Sequence, residues 1–326
     1  MADVSLPQLR GTERDADRDE DRAQIILITG LTLAVLFVAV VLLLNTVIYT
    51  ENLATRGADA GGAEAIEFRD GVTEDLAGIL DREHRTRSGG AGVASEFTDS
   101  AAAYGDTVAD LRLRDGVIAD VTVTETEPGH FIAQNETDGG PRNMTAPNGT
   151  TANWTVVNDT ERTRNFRLTV NSSSLSGSED GAFAVVADGA DEDWSVTLSN
   201  DSAGAIDVRV ANATVDTPPR TFSHAGDTVT IDLTAGTVAG ERFPELVWAG
   251  GVQNGSAPYD IRYENGDEAT GTYSLVVDGD GGSRLDGSSR PYVVDGVYSA
   301  EVEIRHRTPE LTYADELRLA PGERDA

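Results

Sequence analysis

The sequence predicts a mainly β protein with an N-terminal transmembrane and stalk helix and an antiparallel, β-sandwich-like outer domain. Three observations predict this class. An almost unbroken apolar run lies close to the N-terminus, from Ile25 to Leu44. A stripe of apolar residues with helical spacing follows it. From about Tyr104 onwards, apolar and polar residues alternate, which is typical of strands with one face in water.

The composition excludes several classes of protein before any motif is considered. The 326 residues include 56 Asp and Glu against 25 basic residues, all of them arginine, for a formal net charge of -31. Without lysine there is no P-loop or Schiff-base lysine, and without cysteine there is no disulfide or thiolate metal site. So acidic a chain repels nucleic acid, and we expect no nucleic-acid partner. The composition resembles that of proteins from salt-loving archaea, in which concentrated salt screens the acidic charge.

The apolar run predicts one transmembrane helix, with membrane lipid as its partner. About 20 such residues cross a hydrocarbon core of ~30 Å. Four arginines precede the run, whereas only Arg56 and Arg69 occur in the segment just after it. This excess predicts a cytoplasmic N-terminus and an extracellular C-terminal domain, in a single-pass protein of the cell membrane.

The junction before the run carries a resemblance to a known family. Arg22, Ala23, Gln24 and Ile25 place a charged, a small, a polar and a β-branched residue directly ahead of the apolar residues. This resembles the class III signal of archaeal type IV pilins. The resemblance implies cleavage between Ala23 and Gln24 by a prepilin peptidase, and pilin-like subunits as partners. The chain departs from the commoner pilins in lacking their Gly- and Pro-containing stretch after the cut.

The domain organisation follows from these segments. We expect a cytoplasmic leader over 1–23, a transmembrane helix over 24–49, a helical stalk over 50–86, a linker over 87–103 and a β-rich glycosylated outer domain over 104–326, with a possible division into two subdomains near 216–220. A break in the stalk is expected near Gly61 and Gly62, because glycine destabilises a helix. The stalk's apolar stripe, from Phe68 to Leu80, is expected to pack on the outer domain, with a partner helix as the alternative.

Seven strands are predicted from the alternation, with glycine-containing turns between them. The strands are 117–124, 166–170, 194–198, 206–210, 229–233, 273–277 and 297–304. The turns are Asp188-Gly189, Asn265-Gly266, the run from Asp278 to Gly282, and Asp295-Gly296.

Glycosylation sequons are the most specific local motif in the sequence. Nine of the twelve asparagines after Glu51 begin Asn-X-Ser/Thr without proline, which predicts an exposed segment outside the membrane. They are Asn135, Asn143, Asn148, Asn153, Asn158, Asn171, Asn200, Asn212 and Asn254. Five fall between Asn135 and Asn158, a stretch with little apolar pattern that we interpret as a surface loop.

Catalytic and metal-binding patterns are lacking, so we expect no enzyme activity, no cofactor and no metal. The four histidines form no HExxH motif, no GxSxG motif occurs, and His306, between two arginines, is interpreted as solvated. The run from Asp278 to Gly282 resembles the start of a calcium loop but lacks its later acids, and the cluster Asp188, Asp191 and Asp193 is no stronger. The sequence therefore favours a pilin-like envelope or filament component, and the alternative is an extracellular binding or sensor module anchored as a monomer.

Overall fold

The computed structural model describes the backbone of residues 13–86, 92–134, 142–200, 204–252, 257–279 and 291–323; within the first helix, side chains are described for 27–44 and from 62 onwards. Two α-helices and fifteen strands are present among these residues. They are α1 (Glu13–Thr86), α2 (Val93–Arg114), β1 (Ile118–Gln134), β2 (Arg142–Asn143), β3 (Trp154–Thr160), β4 (Thr163–Asn171), β5 (Phe183–Asp188), β6 (Asp193–Asn200), β7 (Ile206–Asn212), β8 (Arg220–Phe222), β9 (Thr228–Asp232), β10 (Thr237–Val238), β11 (Glu241–Arg242), β12 (Tyr259–Glu264), β13 (Thr270–Asp278), β14 (Tyr292–Arg307) and β15 (Thr312–Leu319).

The chain divides into two compact units, Met1–Glu64 and Ala65–Ala326. The boundary falls within α1, which is continuous from Glu13 to Thr86. The predicted break at Gly61 and Gly62 is therefore wrong. Each glycine costs only about 1 kcal/mol in a helix, and the flanking residues, rich in Ala and Glu, favour helix.

The second unit contains two antiparallel sheets. Nine strands form the larger, here called sheet A, in the order β11-β10-β9-β4-β13-β1-β14-β15, with β2 pairing with β13. Six strands form sheet B, in the order β3-β12-β5-β6-β7-β8. Alternate side chains of both sheets share one core, which includes Phe166 and Leu168 from sheet A and Trp194 and Tyr263 from sheet B. This confirms the mainly β class and the sandwich-like domain.

A second core forms where helices cover the opposite face of sheet A. Phe68, Val72, Leu76 and Leu80 of α1 pack with Phe97 of α2 and with apolar residues of β1, β14 and β15. The four α1 residues recur every fourth position, so they lie on one side of the helix. The prediction that the stalk stripe packs on its own domain is confirmed.

Helix α2 corrects the predicted linker. Residues 93–114 are helical, although the sequence predicted a linker to 103 and β structure from 104. The glycines at 89, 90 and 92 precede this helix, and Phe97, Ala101 and Gly105 form its buried side. Gly105 lies against β1 so closely that an added Cβ would be 2.7 Å from the Val121 carbonyl oxygen. Ala101 falls in the predicted linker and Gly105 in the predicted β region, and both are the small residues that this close packing requires.

Three further sequence predictions about the β region need correction. The proposed division near 216–220 is absent, because 65–326 form one unit and β8 continues sheet B. The stretch interpreted as a surface loop contains β2 and most of β3, and its Met144 is fully buried. Asp295 and Gly296 lie inside β14 rather than at a turn.

The seven predicted strands are all present, but several others lacked a clear signal. β5 is one of these, because Phe183 to Ala187 are buried without interruption and so show no alternation. The turns predicted at Asp188-Gly189 and Asn265-Gly266 do separate strands, β5 from β6 and β12 from β13.

Candidate functional site

The apolar segment of α1 has the length and composition to cross a membrane. Leu27–Leu44 comprises 18 residues with a mean hydropathy of 2.9, and none of its side chains is buried. Each described side chain in this segment is exposed, including Leu27 at 72% and Phe37 at 60%. An N-terminal signal sequence would meet the same criteria of length and composition.

The expected processing junction lies just before this segment. Ala23 and Gln24 have helical backbone, whereas their side chains lie outside the described residues. A peptidase that cuts between them must therefore first free this peptide bond from the helix, because helical backbone groups are hydrogen-bonded to each other.

Three of the nine sequon asparagines are exposed and lie close together in sequence. Asn143 ends β2, Asn148 lies in the turn that follows, and Asn153 immediately precedes β3. The Asn148 side-chain oxygen accepts hydrogen bonds from the backbone N–H groups of Thr150 and Thr151, which fixes an exposed turn. The Asn148 side-chain nitrogen donates to the Thr151 hydroxyl at 2.7 Å within the same turn. All three asparagines lie at the surface, where there is room for a glycan.

Asn158, Asn171, Asn200 and Asn212 are half-buried. The Asn200 side-chain nitrogen donates to the Ser172 carbonyl at 2.9 Å, and that of Asn212 donates to the Gly250 carbonyl at 2.7 Å. In both cases the nitrogen that would carry the sugar is half-buried and bound to the backbone of a distant segment, whereas the partner of Asn148 lies in its own exposed turn. The remaining two sequons, at Asn135 and Asn254, lie outside the described residues.

The histidines are dispersed, and two of them are buried. His306 is fully buried and its ring lies 5.4 Å from that of Phe68, so its interpretation as a solvated side chain is wrong. It alternates with Arg305 and Arg307 along β14, and this alternation turns its side chain towards the helices. His130 is 3.2 Å from Asp295, an exposed carboxylate.

His84, the other buried histidine, joins α1 to the sheet. Its ring stacks on Phe131 at 5.4 Å, and its backbone carbonyl accepts a hydrogen bond from the Tyr292 hydroxyl. Burial lowers the pKa of His84 to about 3, and the charge of nearby Arg164 adds to this effect. A neutral imidazole at this position acts as a hydrogen-bond acceptor in the fold. The contacts of the His84 ring within the described residues include no Ser or Thr hydroxyl that could act as a nucleophile.

Arg164 is a buried cation whose donors are taken by backbone carbonyls. Its guanidinium donates to Val297, Tyr298 and Pro321, and burial lowers its pKa to about 10. Arg162 and Arg318 also lie over the Tyr298 ring and pair with Glu127. This cluster holds the chain near Pro321 against β4 and β14, and neither its burial nor its partners had a signal in the sequence.

The acidic sites considered for calcium are engaged in other contacts. Asp278 accepts hydrogen bonds from the Thr160 hydroxyl and the Glu161 backbone, and the residues just after Gly279 lie outside the described part of the chain. Asp188 pairs with Arg262 at 3.0 Å. Burial and a hydrogen bond that protonated Asp193 donates to the Asp188 carboxylate raise the pKa of Asp193. Within the described residues, no group of three or more His, Asp or Glu side chains could hold a metal ion.

A polar groove of about 330 Å³ lies on the side of sheet A that faces away from sheet B. Arg85 and Arg167 line it together with hydroxyl side chains from β4, β9 and β13, among them Thr169, Thr230 and Thr272. Arg167 pairs with Asp232 at 2.6 Å, which holds its guanidinium at the groove wall. The groove can accommodate a small polar ligand, and strand alternation alone could have indicated its hydroxyl lining.

The fold and these sites define a mainly β protein with one N-terminal apolar helix. A family of unknown function (DUF7261) has a model that matches residues 19–176, so the chain is similar to that family from the apolar helix to just beyond β4. Comparison with curated proteins and with solved structures finds no match.

Proposed function

We propose that the chain is a single-pass, membrane-anchored cell-surface protein, a pilin-like component of the envelope or of a surface filament without catalytic activity. The observation that carries the proposal is that two segments of α1 differ in their surroundings. Leu27–Leu44 is apolar with its side chains exposed, whereas Phe68, Val72, Leu76 and Leu80 pack one side of the same helix on sheet A. A helix of this kind provides both a membrane anchor and a structural part of the domain that follows.

The proposed orientation places the N-terminus in the cytoplasm and the β-rich unit outside. The arginines before the apolar run and the exposed sequons after it support this orientation. Because the chain has no cysteine, single cysteines can report topology. We expect a membrane-impermeant maleimide to label Val215→Cys in intact cells. In a chain that keeps its leader because it also carries Ala23→Trp, Ala16→Cys should be labelled only after lysis. The opposite labelling pattern would reverse the orientation.

The pilin-like part of the proposal is tested at the leader. We expect the mature N-terminus to be Gln24, and Ala23→Trp to block processing because the residue before the cut is small. Ala16→Trp, within the same leader, is the matched control and should be processed normally. Mass spectrometry of the membrane-bound protein that shows an intact leader would exclude a pilin-like protein and leave the membrane anchor in place.

A monomeric anchored binding or sensor module is the second candidate, and the groove at Arg85 and Arg167 favours it. The oligomeric state distinguishes the filament component from the monomeric binding module. Val38 lies in the apolar segment with its side chain 60% exposed, so Val38→Cys should form disulfide-linked oligomers if these helices pack side by side in a filament. A chain that stays monomeric under oxidising conditions, with Gln24 not at its N-terminus, would support the binding module.

A further inference from the structure

The polar groove on the outer side of sheet A contains a row of hydroxyl groups that crosses three strands. Directly opposed residues of paired strands lie on the same face of a sheet, and the register opposes Thr272 to Thr169 and Thr169 to Thr230. The Thr169 and Thr230 hydroxyls are hydrogen-bonded to each other at 3.1 Å. The groove therefore presents three hydroxyl groups side by side across β13, β4 and β9.

The two arginines of the groove are each paired with an acid. Arg85 bonds to Asp81 at 2.9 Å and Arg167 bonds to Asp232 at 2.6 Å, in both cases through the Nε atom. The Asp232 carboxylate also accepts a hydrogen bond from the backbone N–H of Ala235, which fixes its position. An anionic ligand would have to compete with these carboxylates for the guanidinium groups.

A neutral ligand rich in hydroxyl groups suits this lining. The terminal nitrogens of Arg85 and Arg167 have no hydrogen-bond partner among the described residues, so they can donate to hydroxyl oxygens. Threonine hydroxyls both donate and accept, as sugar hydroxyls do. The class of ligand that the groove fits best is therefore a neutral sugar.

A glycosylation sequon lies one row away on the same face of the sheet. Asn143 opposes Thr270 across the pair of β2 and β13, and Thr270 is two residues before Thr272, so all three side chains share the outer face. A rise of ~3.3 Å per residue and a strand spacing of ~4.8 Å place Asn143 about 8 Å from Thr272. One or two sugar residues span this distance. Asn171 of β4 also lies on this face, but it is half-buried, whereas Asn143 is exposed.

The Asn143 amide is oriented for attachment of a sugar beside the groove. Its oxygen accepts a hydrogen bond from the Thr270 hydroxyl at 2.9 Å, and its nitrogen has no partner among the described residues. The side-chain nitrogens of Asn148, Asn200 and Asn212 are, in contrast, all bound within the fold. A sugar on the Asn143 nitrogen would keep the bond that holds the amide to β13.

We propose that a glycan on Asn143 folds back onto sheet A and binds in the polar groove, where its neutral sugars bond to the threonine row and to Arg85 and Arg167. The proposal rests on the proposed function, because glycans are added to this unit only if it lies outside the membrane. It gives the groove an occupant that the chain itself carries, in place of the soluble ligand of a binding module.

Paired single cysteines distinguish a bound glycan from a mobile one. Thr272→Cys places a thiol in the groove, and Glu268→Cys places an exposed thiol two residues from Thr270 in the other direction. The full chain from its native host is labelled with a maleimide in nonionic detergent and concentrated NaCl. We expect Thr272→Cys to react several-fold more slowly with the Asn143 glycan than after Asn143→Gln, and Glu268→Cys to react equally fast in both. A mobile glycan would slow both thiols alike, which would overturn the proposal.

Two further variants control for the loss of the sequon. Thr145→Val removes the sequon while keeping Asn143, and it should reproduce the fast labelling of Thr272→Cys. Asn153→Gln removes an exposed sequon beside sheet B, and labelling of Thr272→Cys should stay slow. Fast labelling in Asn143→Gln but not in Thr145→Val would show that the substitution at 143, rather than the missing glycan, opens the groove, and would overturn the proposal.

The remaining outcomes separate this proposal from the proposed function. Labelling of Thr272→Cys that is fast with the glycan present would overturn glycan binding and leave the groove open to a soluble ligand. Labelling that is slow with and without the glycan would show that something else covers the groove, and would also overturn it. Unmodified Asn143 with glycans at other sequons would overturn the proposal alone, whereas unmodified asparagine at all nine sequons would count against the outside orientation as well.

Discussion

The Nε2 atom of His84, near the end of α1, accepts a hydrogen bond at 3.2 Å from the backbone N–H of Val297 in β14. This contact joins residues 213 positions apart in the sequence. It requires a neutral imidazole, since a proton on Nε2 would face the N–H donor. The helix that continues from the apolar segment is therefore attached to the β-rich unit by a bond that is sensitive to protonation.

The first prediction concerns pH. Burial lowers the pKa of His84 from 6.5 to about 3, so between these values the unfolded chain binds a proton that the folded chain does not. The free energy of unfolding therefore decreases as the pH falls below 6.5, by about 2 kcal/mol between pH 7 and pH 5. Denaturant unfolding of the wild type and of His84→Gln at both pH values measures this, and we expect a shallower decline in the variant. Equal declines would show that His84 does not titrate differently on folding.

The second prediction concerns two glycines with opposite expected effects. A Cβ added at Gly296 would lie 2.6 Å from the His84 Nε2 atom, whereas one added at Gly78 would meet no atom within 4 Å. Gly296→Ala should therefore destabilise the protein by about 1–3 kcal/mol through overpacking. Gly78→Ala, exposed on α1, should stabilise it by roughly 0.5–1 kcal/mol. Thermal unfolding of both variants checks this, and a neutral Gly296→Ala would contradict the close packing of His84 on β14.

The third prediction concerns Arg164. Arg164→Met keeps the volume of the side chain but leaves the carbonyls of Val297, Tyr298 and Pro321 without this donor. We expect a loss of about 3 kcal/mol in the free energy of unfolding and faster digestion of the C-terminus by carboxypeptidase. Arg305→Met is the matched control, because the Arg305 side chain is 59% exposed, and its effect should lie within about 0.5 kcal/mol. Unchanged carboxypeptidase resistance in Arg164→Met would show that the cluster does not hold the C-terminal segment.

The fourth prediction concerns sequon use. In the protein from its native host, we expect glycans at the exposed Asn143, Asn148 and Asn153, and unmodified asparagine at Asn212. Asn143→Gln should increase gel mobility with little effect on stability. Asn212→Gln should leave mobility unchanged and cost about 1 kcal/mol, because its contacts with Gly250 and Val215 are lost. Glycopeptide mass spectrometry checks the assignment, and a glycan on Asn212 would contradict it.

The fifth prediction concerns salt. With a formal net charge of -31, repulsion among carboxylates grows as salt is removed, because the screening length increases from about 3 Å at 1 M to about 10 Å at 0.1 M. The melting temperature of the full chain in a nonionic detergent should therefore fall from high to low NaCl. A midpoint that is equal or higher at low salt would show that the acidic residues do not serve salt adaptation.

The sequence alone determined the features that depend on local pattern. The helical conformation of the run from Ile25 to Leu44, the packing of the stripe from Phe68 to Leu80 and strands such as β4 were predicted correctly. Periodicity made the last two predictable, because it records which side of an element is buried. The positions of the sequons were also evident from sequence, but their exposure was not. Neighbouring asparagines such as Asn153 and Asn158 differ in exposure because of the sheet around them.

Only the tertiary structure decided the contacts between distant segments. Gly296 is part of a strand rather than a turn because His84, which precedes it by more than 200 residues, fills the space above it. Ala101 and Gly105 form a helix because β1 lies close against them. Arg164 is buried because carbonyls from β14 and from Pro321 converge on it. Local propensity cannot encode these outcomes, since in each case the deciding energy comes from packing and hydrogen bonding with residues far away in the sequence.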